Sequence, residues 1–234
     1  MLEIRVLNAG YGEVQILRDV SLSVETGEIV TVVGSNGAGK STMLNTICGI
    51  VRPWSGSVHL NGEAITGLNS EAIVARGITQ VPEGRRLFPQ MTVRENLLMG
   101  AYRRKDRAGI ERDLAWVYEL FPRLKERERQ RAGSMSGGEQ QMCAIARGLM
   151  ARPKILILDE LSLGLAPIML DVLVDAVNKV HQEGTTILLV EQDVAVAFDL
   201  ATTGYVLENG RIVLSGPTAE LRANPHVKKA YLGL

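Results

Sequence analysis

The segment Gly34-Ser35-Asn36-Gly37-Ala38-Gly39-Lys40-Ser41 constrains this chain more than any other. It follows the apolar run Ile29 to Val33, which reads as a strand buried on both faces, and precedes Met43, Leu44, Ile47 and Ile50 at helical spacing. A strand, a loop of the form G-x(4)-G-K-[ST] and a helix in that order form a cradle for a di- or triphosphate. Its glycines let successive N–H groups point inward, and the helix N-terminus adds its dipole. Lys40 is expected to meet the β- and γ-phosphate oxygens, and Ser41 to give a hard oxygen to Mg²⁺.

A second signal specifies the chemistry. Ile155 to Leu158 reads as a buried strand ending in Asp159-Glu160, at the carboxyl edge where open α/β sheets bind ligands. Asp159 is expected to reach the metal through water, and Glu160 to act as general base on a water attacking the γ-phosphorus.

The rest of the chain supplies a frame. Strand-like runs Leu2 to Val6 and Val20 to Val24 open it, and the pairs Asn61-Gly62 and Asn209-Gly210 read as tight hairpin turns. From Glu83 to Arg152 helical periodicity replaces strand signals. A helix from Pro167 to Gln182 and a strand from Thr186 to Val190 then restore the alternation of a parallel sheet. The expected fold is therefore α/β: a P-loop NTPase core over 1–82 and 153–234, mostly parallel with antiparallel β pieces, and an inserted helical subdomain over 83–152.

Composition narrows the partners. The 234 residues carry 26 Lys+Arg against 26 Asp+Glu, with two Trp, five Tyr and three Phe, so neither a global basic field nor an aromatic platform recommends nucleic acid. Residues 101–131 hold a modest local excess of basic side chains, read as a solvated helical face. Cys48 and Cys143 fall in predicted helices without metal-ligand spacing and read as buried thiols. No apolar run reaches the roughly 18–20 residues of a membrane span, and the opening MLEIRVLNAG lacks the pattern of a secretory signal. A cytoplasmic protein is expected.

Ser136-Gly137-Gly138-Glu139-Gln140 opens a helix whose Met142, Ile145, Ala146, Leu149 and Met150 form one apolar face, closed by Pro153. Together with the loop and the carboxylate strand, this segment resembles the signature motif of the ATP-binding cassette (ABC) family, and the resemblance spans essentially the whole chain. It implies an ATPase with ATP and Mg²⁺ as ligands. Tyr11 would stack on adenine, and Gly34, Ser35, Asn36, Gly37, Ala38, Gly39, Lys40, Ser41 and Thr42 would hold the phosphates. Gln80, ending the strand Ile78 to Val81, would touch Mg²⁺ and the attacking water. Two cassettes would pack head to tail, as a homo- or heterodimer. Ser136, Gly137, Gly138 and Glu139 of one would then face the nucleotide of the other, and Ser162-Leu163-Gly164-Leu165 would cross the seam. The metal set would be Ser41, Gln80 and Asp159; the catalytic set Lys40, Gln80, Glu160 and Gln192.

Finer features, QVPEGRRLFPQMTVRENL, SLGLAP, VEQD and the ending NPHVKKAYLG, resemble the smaller cassette subunit of branched-chain amino acid import systems. Urea and short-chain amide importers share them. The implied partners are integral membrane permease subunits, docked in a cleft formed by the helical insertion and the Gln80 neighbourhood, and, indirectly, an external solute-binding protein. The implied location is the inner face of the cell membrane. Three positions depart from the family pattern: Gln192 where a histidine is usual, Leu161 in place of a proline, and Glu139 in place of glutamine. Leucine frees φ and restores an N–H, so Leu161 is expected to slow hydrolysis through a looser seam loop. Glu139 is expected to face solvent or cap its helix. The alternative function is a nucleotide-gated clamp with little hydrolysis. A GTPase is disfavoured, because His181 stands where the guanine-reading element Asn178-Lys179 needs a carboxylate.

Overall fold

Three central strands buried on both faces organise the molecule. The computed structural model describes residues 1–232; Gly233 of the terminal motif and Leu234 lie outside the described residues. Strands β1 (Leu2–Tyr11), β2 (Val14–Val24), β4 (Ser55–Leu60) and β5 (Glu63–Ala64) form an antiparallel sheet in the order β2-β1-β4-β5. The second sheet is built from β3 (Ile29–Val33), β6 (Ile78–Val81), β7 (Ile155–Asp159), β8 (Thr186–Glu191), β9 (Thr203–Glu208) and β10 (Arg211–Pro217). Its order is β10-β9-β3-β8-β7-β6, parallel except at the β9–β10 pair.

Strands β3, β7 and β8 are buried along their whole length. Because side chains alternate across a strand, Val30, Val32, Ile155, Ile157, Leu188 and Val190 face one apolar core, shared with the antiparallel sheet and helix α1 (Lys40–Ile47). Ile29, Val33, Leu156, Leu158, Ile187 and Leu189 face the other. That second core is closed by the helical insertion and by α7 (Pro167–Gln182).

Between β6 and β7 the described residues contain no strand. After α2 (Ser70–Ala75), which precedes β6, the insertion runs through α3 (Val93–Gly100), α4 (Arg107–Leu120), α5 (Pro122–Glu126) and α6 (Gly137–Leu149). Asn96, fully buried, accepts the Phe88 N–H at 2.9 Å and donates to the carbonyls of Phe88 and Thr92, both at 3.0 Å. It thereby fixes the chain that leaves β6. Helices α8 (Val194–Leu200), α9 (Thr218–Ala223) and α10 (Pro225–Val227) complete the fold.

The two Asn-Gly turns are as expected, with φ of 51° and 81° at Asn61-Gly62 and 48° and 78° at Asn209-Gly210. The first two strands are longer than the sequence suggests. They meet in a turn at Gly12 (φ 57°), and bulges at Val6 (φ 46°) and Asp19 (φ 54°) break the alternation that would have marked them. Cys48 sits just past α1 rather than inside it. Both thiols are buried, and burial pushes each up to about 12.

Candidate nucleotide site

The loop after β3 is shaped by contacts that leave no room for side chains. A Cβ on Gly34 would collide with the Leu207 carbonyl, and Gly39, at φ 110°, takes a backbone conformation that other residues avoid. The β9–β10 turn braces the loop from behind, with the Gly210 N–H donating to the Ala38 carbonyl at 2.9 Å. Ser35, Asn36, Gly37, Gly39, Lys40, Ser41 and Thr42 line a cavity of ≈ 250 Å³ that also admits Ile16, Glu83 and Glu160. Lys40, 6% exposed, donates from Nζ to the Gly34 carbonyl at 2.6 Å and lies 3.1 Å from Glu160 Oε1. Ser41 presents its side chain to solvent.

The two carboxylates after β7 differ. Asp159 is 6% exposed, and its Oδ1 is buried with no hydrogen-bond partner. Burial, reinforced by the neighbouring Glu160 and Glu83 charges, pushes its carboxyl up to about 6, against the pull of the Glu83 N–H and of Lys40. An orphaned buried carboxylate oxygen and a free hydroxyl at Ser41 suit a divalent cation that keeps most of its waters. Glu160 adopts φ 52°, unusual for a residue with a side chain. Its Oε2 accepts the Gln192 N–H at 3.2 Å. Glu160, Gln192, Ser162, Leu163, Gly164 and Tyr231 share a second cavity of ≈ 530 Å³.

Gln80 is not among the residues lining the phosphate loop. In the β6–β7 register it opposes Ile157, two residues short of Asp159, and it lines a cleft of ≈ 390 Å³ with Thr79, Phe88, Met99, Tyr102 and Arg147. Glu83, beyond the end of β6, reaches the loop instead. Sequence reasoning took the last strand glutamine. What it lacked is the turn that follows, where Gly84, Arg85 and Arg86 are all left-handed (φ 74°, 66° and 45°). Arg147 holds that turn by donating to the carbonyls of Arg86 at 2.8 Å and Arg85 at 3.1 Å.

Ser136 caps α6, its hydroxyl accepting the Glu139 N–H while Glu139 accepts the Ser136 N–H at 3.0 Å. The carboxylate at position 139 thus turns back onto its own helix and onto the Arg127 guanidinium. Gly137 lies under Arg85, and Gly138 against Met169 of α7. Tyr11 ends β1 half-exposed, its hydroxyl 3.4 Å from Asn45 Nδ2 on α1, outside the loop's cavity.

A strand-to-helix phosphate loop, strand-end carboxylates and a capped glycine helix on an inserted subdomain define an ATP-binding cassette. The family model described as ABC transporter matches residues 17–162. Over all 234 residues the chain is 52% identical to the high-affinity branched-chain amino acid transport ATP-binding protein BraG of Pseudomonas aeruginosa, covering 100% of both chains. It is 37% identical to the probable branched-chain amino acid transport ATP-binding protein LivF of Archaeoglobus fulgidus, covering 100% of this chain and 99% of that one. Its fold superposes on the ADP conformation of an ATP-binding cassette of an ABC transporter with a TM-score of 0.89 at 27% identity, covering 100% and 99% of the two chains. The dimeric post-hydrolysis state of another cassette, bound to ADP and Pi, matches at 0.82 and 25% identity, with 93% and 99% covered. The chain belongs to the ABC transporter family. Within it the chain is an ATP-binding subunit, the component that hydrolyses ATP.

Proposed function

We propose that this subunit drives an importer of branched-chain amino acids through ATP-dependent closure and reopening of a cassette dimer. The observation that carries the mechanism is the meeting of Lys40, Glu160 and the Gln192 backbone within hydrogen-bonding reach at the end of the central strands. Lys40 and the loop amides bind the β- and γ-phosphates, and Tyr11, half-exposed beside α1 and outside the loop's cavity, would take the adenine. Glu160, released from Lys40 when phosphate takes the ammonium, accepts the proton of the attacking water. Gln192 donates a hydrogen bond to the γ-phosphate but brings no positive charge.

Ser41 and Asp159 would hold Mg²⁺, with Glu83, rather than Gln80, as a further oxygen donor at the site. When bound, the ion neutralises charge on the phosphates and orients them. Ser136, Gly137 and Gly138 of a second cassette meet the γ-phosphate with the free N–H groups of the α6 N-terminus.

No helix among the described residues is long and apolar enough to cross a membrane. The permease is read as separate chains, and this subunit as working at the inner face of the membrane, by analogy with the transport ATP-binding relatives. The cleft holding Gln80 presents exposed Phe88, Met99 and Tyr102, an apolar seat for a short cytoplasmic helix of the permease. Cargo is assigned from the relatives' names and tested by co-purifying the subunit with its membrane partners. Leucine, isoleucine or valine is expected to stimulate ATP turnover; stimulation by urea or short-chain amides alone would reassign the cargo.

A further inference from the structure

We infer that Glu191 positions the loop after the catalytic carboxylates by a two-point grip on Ser162. The inference rests on the reading of Glu160 as the base and of Ser162 to Leu165 as the seam loop. Glu191 is the last residue of β8, opposes Val33 of the central strand and is fully buried. Its Oε1 accepts the Ser162 N–H at 3.0 Å and its Oε2 accepts the Ser162 hydroxyl at 2.8 Å.

Two features make this grip more than packing. Among the described residues no cation lies within ion-pair distance of Glu191, whereas Glu160 and Asp193 bring it like charge. A buried carboxylate in that setting costs stability that an apolar residue would not. Apart from the burial of Leu161 in the core and the packing of Leu165 against it, the loop it holds has few other ties. Leu161 provides no fixed φ, Glu160 before it is left-handed, and the local backbone bonds Leu163 N–H to Glu160 and Leu165 N–H to Ser162 are long, at 3.4 and 3.3 Å. Adjacent residues at the end of β8 therefore fix both sides of Leu161: Gln192 holds the Glu160 carboxylate through its N–H, and Glu191 holds Ser162. The β8 end does what a proline at 161 would otherwise do, and it links the base to the seam.

The test compares ATP turnover in the unmodified chain, Glu191→Ala, Glu191→Gln, Ser162→Ala and the Glu191→Ala/Ser162→Ala pair, together with hydrogen exchange at the Ser162 amide. Glu191→Ala is expected to lower kcat roughly ten-fold with KM for ATP changed less than about two-fold, the loss of two charge-assisted bonds. Glu191→Gln keeps an acceptor for the N–H and a donor for the hydroxyl, so it retains most activity. In the Ser162→Ala background, Glu191→Ala costs less than it does alone. A Glu191→Gln loss as deep as that of Glu191→Ala, or losses that simply multiply, would overturn the grip. Should Glu191→Ala fail to fold, exchange in the unmodified chain decides: Ser162 should exchange far more slowly than Gly164, and equal rates would refute the inference. Exchange needs no turnover, so an inactive unmodified chain counts against the catalytic reading and leaves the grip to be judged by Ser162 alone.

Discussion

Lys40 Nζ and Glu160 Oε1 lie 3.1 Å apart, with side chains 6% and 9% exposed. The cation that a triphosphate needs is thus partnered by the carboxylate that would activate water against it. On the proposed roles, a phosphate taking Lys40 would free Glu160, making binding and arming of the base one exchange. The left-handed φ of Glu160 costs about 1 kcal/mol, offset here by Lys40 and by the Gln192 N–H.

Glu160→Gln should separate these roles. Phosphate release should fall by about 10²–10⁴-fold, the usual contribution of a general base. ATP binding should hold or tighten, because an amide competes less well for Lys40. Equilibrium binding of a fluorescent ATP analogue and a phosphate assay read the two effects. Loss of binding in step with turnover would mean that Glu160 shapes the site rather than reacting in it.

Sequence reasoning assigned Gln80 to the metal, whereas Glu83 lines the phosphate loop's cavity and Gln80 does not. Glu83→Ala should cut turnover at least roughly ten-fold and raise the Mg²⁺ concentration needed for half activity, as loss of a ligand to the metal or its shell does. Gln80→Ala should spare turnover of the isolated subunit and weaken its binding to the permease, measured by co-purification. The reverse pattern would return Gln80 to the phosphates.

Two buried acids set a pH dependence. The Glu191 carboxyl is pushed from 4.5 up to about 7, chiefly by burial, although Ser162 pulls it down; Asp159 is pushed from 3.8 to about 6. A raised folded value means that the folded chain holds a proton which the unfolded chain has released. Stability is then fullest below the ordinary value and is lost as pH rises toward the raised one. Glu191→Gln should therefore raise the thermal midpoint relative to the unmodified chain above about pH 7 and bring no gain below about pH 4.5. Differential scanning calorimetry across that range measures it.

Leu161→Pro should give opposite changes in two readouts. Leu161 is 1% exposed, and removing most of its side chain should cost about 1–3 kcal/mol of stability. A proline at 161 also fixes φ there and stiffens the exit toward the seam loop beyond what Glu191 and Gln192 hold, so turnover should rise. Unchanged turnover in the folded variant would show that Leu161 does not slow hydrolysis.

The fold and much of the site were legible where the signal is local. The glycine loop, the Asp159-Glu160 strand end, both Asn-Gly turns and the Ser136/Glu139 cap each announce themselves within a few residues. The Pro167–Gln182 helix was readable to its last residue because Pro starts it and apolar periodicity runs through it. What escaped depends on distance or on unsignalled backbone. Nothing in Arg85-Arg86 marks two left-handed residues, so the path that brings Glu83 to the phosphate loop was hidden. Glu191 and Ser162 are 29 positions apart and meet only because β7 and β8 pair in register.

The most direct test of a nucleotide shared between protomers mixes two defective chains. Lys40→Ala spoils the cradle and leaves the Ser-Gly-Gly helix; Ser136→Arg blocks that helix and leaves the cradle. Each alone should be inactive, and a mixture should hydrolyse ATP, because a mixed pair contains one intact composite site. A mixture no more active than its parts would contradict the shared site.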